Sequence, residues 1–71
     1  MQDIKKEVGT RIRRLRQKKR MSQEELADLC GIHRGHMGQI ERGEKNLTLT
    51  TLQKLGKGLS ISISALLKDI V

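Results

Sequence analysis

The sequence predicts an all-α domain of five short helices, and three observations carry that expectation. The 71 residues contain seven glycines and no proline, a pattern of helices punctuated by glycine rather than a hairpin-rich sheet. Apolar residues recur at steps of three and four along most of the chain, the period of a helix buried on one face. Phe, Trp and Tyr are absent, so the core has to be built from Leu, Ile, Val, Met and Ala. A chain of this length has room for one core, so residues 1–71 read as a single domain.

Each helix has its own signature. Ile4, Val8, Ile12 and Leu15 form one stripe of a first helix, from about residue 3 to about residue 19. Ser22-Gln23-Glu24-Glu25 is a capping box: the Ser22 hydroxyl accepts from the Glu25 amide and the Glu25 side chain returns to the Ser22 amide. It starts a second helix at Gln23, with Leu26, Ala27, Leu29 and Cys30 available for burial. Gly31 ends that helix, because glycine tolerates the left-handed backbone required there. A third helix is expected from about His33 to Arg42, with Met37 and Ile40 inward and Gly43 as its stop. After the loop Glu44–Leu47, Thr48 caps a fourth helix striped by Leu49, Leu52, Leu55 and Leu59. Ser62 caps a fifth, about residues 62–70, with Ile63, Leu66, Leu67 and Ile70.

Charge and composition narrow the function. Fifteen Lys and Arg against eight Asp and Glu leave a formal charge of +7, which argues for a polyanionic partner. The charge is concentrated: residues 5–20 hold nine Lys or Arg and one Glu. A charge run alone is usually a solvated helix face. A membrane-surface helix would carry Trp or Phe, which this one lacks. One cysteine excludes an internal disulfide framework, and no spaced Cys/His set suggests zinc. No apolar run spans a bilayer, and the amino-terminal MQDIKKEVG has no signal core, so a cytoplasmic location is expected. No cofactor, metal or small-molecule ligand is expected. Catalysis is not expected either. His33 and His36 have no carboxylate or cysteine to complete a ligand set, and Cys30 reads as a small buried apolar residue.

The spacing of Ala27, Gly31, Met37 and Ile40 specifies more than a pair of helices. A small residue lets a second helix approach, glycine four residues later makes the corner, and the two apolar residues pack the second helix back onto the first. That is a helix-turn-helix, whose second helix enters a DNA major groove. Ile32 plugs the corner.

At these residues the chain resembles the phage-repressor and Cro-like (Xre-type) helix-turn-helix regulators of bacteria. The matching motifs are Gln23-Glu24-Glu25-Leu26-Ala27, Gly31-Ile32 and Gln39-Ile40-Glu41-Arg42-Gly43. Arg11–Arg16 upstream and Leu49–Leu55 and Ser62–Leu67 downstream extend the likeness to about residues 8–67. His33-Arg34 and Glu41–Leu49 look like the short controller proteins of restriction–modification systems; a phage repressor or an antitoxin are the other readings. The resemblance implies a sequence-specific transcription regulator that binds double-stranded DNA as a homodimer on a palindromic operator. Its recognition helices would stand about 34 Å apart. The apolar residues Leu66, Leu67, Ile70 and Val71 exceed what a short surface helix needs, so the fifth helix is expected to contribute some of them to the dimer interface.

The start of the third helix supplies the candidate base readers His33, Arg34, His36 and Gln39. Arg34 can donate two parallel hydrogen bonds to guanine, and Gln39 can pair with an adenine edge. For Arg34 the other readings are a phosphate contact or a free surface charge. His33 falls at a cap position where the family usually has Ser, Thr or Asp, and histidine is a poor cap. Candidate phosphate partners are Gln23, a backbone clamp in the family, with Arg42, Lys45, Asn46, Arg11 and Arg14. Arg16 and Glu41 match a family pair that forms an ion pair between the first and third helices. Gly35 and Gly38 interrupt the recognition helix; they either allow close approach of DNA, which would make Gly38 a phosphate contact, or are tolerated weaknesses. Gly56 and Gly58 are read as tolerated weakness. Against these stands a protein–protein module, an antitoxin that also wraps a toxin. Such proteins carry an extra arm, and the fifth helix is the last element read here. RNA binding on charge alone lacks the aromatic side chains that single-strand recognition uses.

Overall fold

Local chemistry starts every helix. The computed structural model describes residues 3–71; Met1 and Gln2, part of the amino-terminal stretch read above, lie outside it. Helix α1, Ile4–Lys18, is capped by the Asp3 carboxylate, which accepts from the Lys5 amide at 3.0 Å. Helix α2, Gln23–Cys30, opens on the complete capping box, with Glu25 N–H to Ser22 Oγ at 3.0 Å and Ser22 N–H to Glu25 Oε1 at 2.8 Å. Helix α3, Arg34–Glu41, is capped by His33. Thr48 caps α4, Leu49–Leu59, and Ser62 caps α5, Ile63–Leu66. There is no strand among the described residues.

The core is aliphatic plus one methionine, as a sequence without aromatics requires. Ile12, Leu26, Met37, Ile40, Leu55, Leu59 and Leu66 are fully buried, at roughly 1.5–3 kcal/mol of transfer free energy per side chain. Helix α2 packs on both α3 and α4, α1 packs on α3 and α5, and α4 meets α5. Cys30 is buried in the same cluster, and burial pushes its thiol pKa above the ordinary value.

Several residues sit elsewhere than their sequence pattern predicts. Leu29 is 60% exposed, because the inward face of the short α2 is set by Leu26, Ala27 and Cys30 and Leu29 falls outside that arc. Leu49 is 79% exposed, because the buried face of α4 is set by Leu52, Leu55, Gly56 and Leu59 and Leu49 falls outside it. Ile4 is also exposed, one turn ahead of the buried Val8. The fifth helix stops at Leu66; residues 67–70 are a turn, with Asp69 at φ +65°. Leu66 itself is fully buried in this chain's own core, so it is not part of a pairing surface.

Two glycines read as weakness are close-packing sites. A Cβ at position 58 would collide with Cys30 Sγ, and one at position 56 would lie 2.8 Å from the carbonyl oxygen of Ile61. At Gly58 the missing side chain lets α4 press against the end of α2, and at Gly56 it lets the turn after α4 fold back against the helix, a gain set against about 1 kcal/mol of helix propensity at each. Gly9 plays the same part between α1 and α3. A Cβ there would sit 2.5 Å from the carbonyl oxygen of Ile40 and 2.6 Å from that of Glu41. The close approach at Gly9 seats α1 against the carboxyl end of α3.

Candidate nucleic-acid interface

The corner between α2 and α3 turns on Gly31, at φ +68°, a left-handed conformation that a Cβ would strain. The Ile32 amide donates back to the Ala27 carbonyl at 2.9 Å, and Ile32 is buried against the core. Ala27, Met37 and Ile40 are at most 1% exposed. The four residues whose spacing specified the corner therefore do what the spacing required. With Met37 and Ile40 inward, the opposite face of α3 is left outward. Arg34 and Gly35 are exposed, and His36 and Gln39 are half-buried.

The base of α3 is held by an ion-pair network. Arg16 Nε donates to Glu41 Oε2 at 2.7 Å and Arg16 Nη2 to Glu41 Oε1 at 3.0 Å, a two-point fork. Arg16 Nη1 donates to the Met21 carbonyl at 2.9 Å. The side chains are only 12% and 3% exposed, and the Glu41 carboxylate raises the Arg16 pKa. Gln23 joins the network, its Nε2 donating to Glu41 Oε1 at 3.2 Å. Arg16 near the carboxyl end of α1 and Gln23 at the amino end of α2 thus share one carboxylate, that of Glu41 at the carboxyl end of α3.

His33 proves to be a working cap. Its Nδ1 accepts from the Gly35 amide at 3.1 Å, so the imidazole does for α3 what a serine or aspartate hydroxyl or carboxylate would do. An accepting Nδ1 places the ring proton on Nε2 in the neutral form, so the base-reading role expected of His33 is narrowed to that one donor.

Gly38 is buried, and a Cβ there would lie 3.1 Å from Arg42 Nη1 and 3.3 Å from Gln23 Oε1. The two side chains lie over it, so Gly38 is not itself an accessible phosphate contact; it is the bare backbone on which Gln23 and Arg42 converge. Arg42, Lys45 and Asn46 are exposed just past α3. Arg42 Nε and Nη2 donate to Glu44 at 2.6 and 3.3 Å, which holds the Glu44 carboxyl below its ordinary pKa. Arg34 Nη1 donates to Glu24 Oε2 at 3.1 Å across the corner.

Arg11 and Arg14 do not join this surface. Arg11 Nη1 donates to the Leu66 carbonyl at 3.3 Å, and both arginines line a cleft with Asp69 and Ile70. Two residues along a helix are about 200° apart, so Arg11 points away from the side on which Gly9 meets α3. Sequence reasoning missed Gly9, the Gln23–Glu41 link and the Glu24–Arg34 pair. Only Gly9 left a trace in the sequence, as a glycine inside a strong helical stripe.

A two-helix corner with an outward, polar, arginine-bearing second helix defines the class: the chain belongs to the helix-turn-helix family, whose profile matches residues 12–66. Among its curated relatives are the control protein C.SmaI of Serratia marcescens, 43% identical over 92% of this chain and 77% of that one, and C.MunI of a Mycoplasma species, 38% identical over 99% and 96%. The fold superimposes on the restriction–modification controller protein C.AhdI from Aeromonas hydrophila with a TM-score of 0.83. That match is 42% identical and covers 90% of this chain and 96% of that one. The controller protein C.Esp1396I matches with a TM-score of 0.84, at 32% identity and 99% and 96% coverage.

Proposed function

We infer that this protein is a sequence-specific transcription regulator of the restriction–modification controller kind. It acts as a homodimer on double-stranded DNA carrying a palindromic operator, and it works in the cytoplasm. The observation that carries the reading is the outward face of α3, with Arg34, His36 and Gln39 on a helix whose other side is locked into the core. The controller relatives at 38–43% identity support the subtype. The antitoxin alternative finds no support in these relatives and is dropped.

The roles follow from position. Arg34 and Gln39 read base edges, with His36 beside them. Gln23, Arg42, Lys45 and Asn46 hold phosphates on either flank; each phosphate neutralised steepens the salt dependence by about 0.9 in log–log slope. Leu67, Ile70 and Val71 are the remaining pairing candidates of the carboxyl-terminal segment. Leu67 and Val71 rim an apolar cleft with Ile4, Val8, Leu47 and Leu52. The test is a mobility-shift titration with duplex DNA from upstream of the protein's own gene. Binding to that DNA well above binding to a scrambled duplex at physiological salt is expected; equal affinity for both removes the regulator reading.

A further inference from the structure

Arg34 stands at the first position of α3, where a phosphate and a guanine edge compete for its guanidinium. The residue that meets it comes from the other helix of the corner. Glu24, in the first turn of α2, accepts from Arg34 Nη1 at 3.1 Å through Oε2. It is a one-point contact between side chains 67% and 63% exposed, so Nε and Nη2 stay free to form a two-point contact with guanine O6 and N7. Arg42 differs: Glu44, two residues away, takes two of its donors.

We propose that Glu24 is a specificity-determining residue that directs Arg34 to a base edge rather than to phosphate. This inference rests on the DNA-binding reading above. Glu24 follows Gln23, at the amino end of α2 where a phosphate would dock. A phosphate that approaches Arg34 there meets a carboxylate of like charge. The acceptors of a guanine edge are neutral and meet far less repulsion. An exposed ion pair holds its partners weakly, so Glu24 does not lock Arg34; it makes one of its two destinations worse. Non-specific binding, which is almost wholly a phosphate interaction, bears that cost.

The experiment compares wild type, Glu24→Gln and the charge-matched Glu44→Gln. Each is titrated against two duplexes: the tightest binder that wild type recovers from a randomised pool, and a scramble of it. Glu24→Gln is expected to bind the scramble about five- to tenfold more tightly and the selected duplex nearly unchanged, a loss on the scale of a weak bidentate contact. Its salt slope on the scramble steepens by about 0.9. Glu44→Gln strengthens both duplexes by one factor. In an Arg34→Ala background, Glu24→Gln no longer changes the ratio. If Glu24→Gln shifts both duplexes alike, or changes the ratio without Arg34, the inference is overturned while the DNA-binding reading stands. A wild type that recovers no preferred duplex overturns both.

Discussion

Glu41→Ala removes the carboxylate at the centre of the α1–α3 network. The guanidinium of Arg16 then loses two charge-assisted hydrogen bonds, at 2.7 and 3.0 Å, and keeps only the Met21 carbonyl. Its side chain is only 12% exposed, so water replaces little of what is lost. Stranding one member of such a pair costs about 3–5 kcal/mol. A chain of this length has a total stability of roughly 4–10 kcal/mol, so the loss is about 30% of it or more. Urea unfolding followed by far-UV circular dichroism, at one fixed protein concentration, reads this directly. With a slope of about 1 kcal/mol per molar urea, the midpoint should fall by about 3 M, or the cooperative transition should vanish. Arg16→Met combined with Glu41→Leu removes both charges and should recover most of the loss, because an apolar pair carries no desolvation penalty. A cost below about 1 kcal/mol for Glu41→Ala, the value of a solvated pair, would refute the reasoning. So would a double variant no more stable than the single one.

Other outcomes follow from single contacts. Gly9→Ala forces a Cβ against the Ile40 and Glu41 carbonyls and should destabilise by about 1–3 kcal/mol. Gly35→Ala meets only the His33 ring, at 3.3 Å, and should be neutral or gain up to about 1 kcal/mol in thermal unfolding. The capping box holds the Glu25 carboxyl below its ordinary pKa of 4.5, first through the Ser22 amide and then through its hydroxyl. The folded pKa is the lower one, so this stabilisation is complete above pH 4.5 and is lost on acidification through the folded value. The stability difference between wild type and Glu25→Gln should therefore shrink as unfolding is measured at successively lower pH.

What the sequence disclosed was whatever is local. The capping box at Ser22 needs only its own four residues, and the corner at Gly31 only one turn either side, so both were readable from spacing. Leu29 and Leu49 were misplaced because a stripe gives a period but not which neighbour covers it. Helix propensity, through which Gly56 and Gly58 read as weak, is a property of one helix; their reason lies outside that helix, in the Ile61 carbonyl of the following turn for one and in Cys30 at the end of α2 for the other. The interface followed the same division. The outward face of α3 is implied once Met37 and Ile40 point inward. The direction of Arg11 and Arg14 depends on which side of α1 meets α3, and that is decided by Gly9. The pairing of Glu24 with Arg34 spans ten residues and a helix corner, and no local pattern announces it. His33 was undervalued because cap statistics favour oxygen acceptors, whereas a neutral imidazole also offers one acceptor nitrogen in reach of the Gly35 amide.

The most direct test is to map backbone amide shifts in a nitrogen-15-labelled protein as the selected duplex is added. The account predicts perturbations concentrated on Gln23 and Glu24, on residues 33–39, and on Arg42, Lys45 and Asn46, with Arg11 and Arg14 little moved. Perturbations centred instead on the outer face of α4, at Gln53, Lys54 and Lys57, with α3 silent, would contradict it.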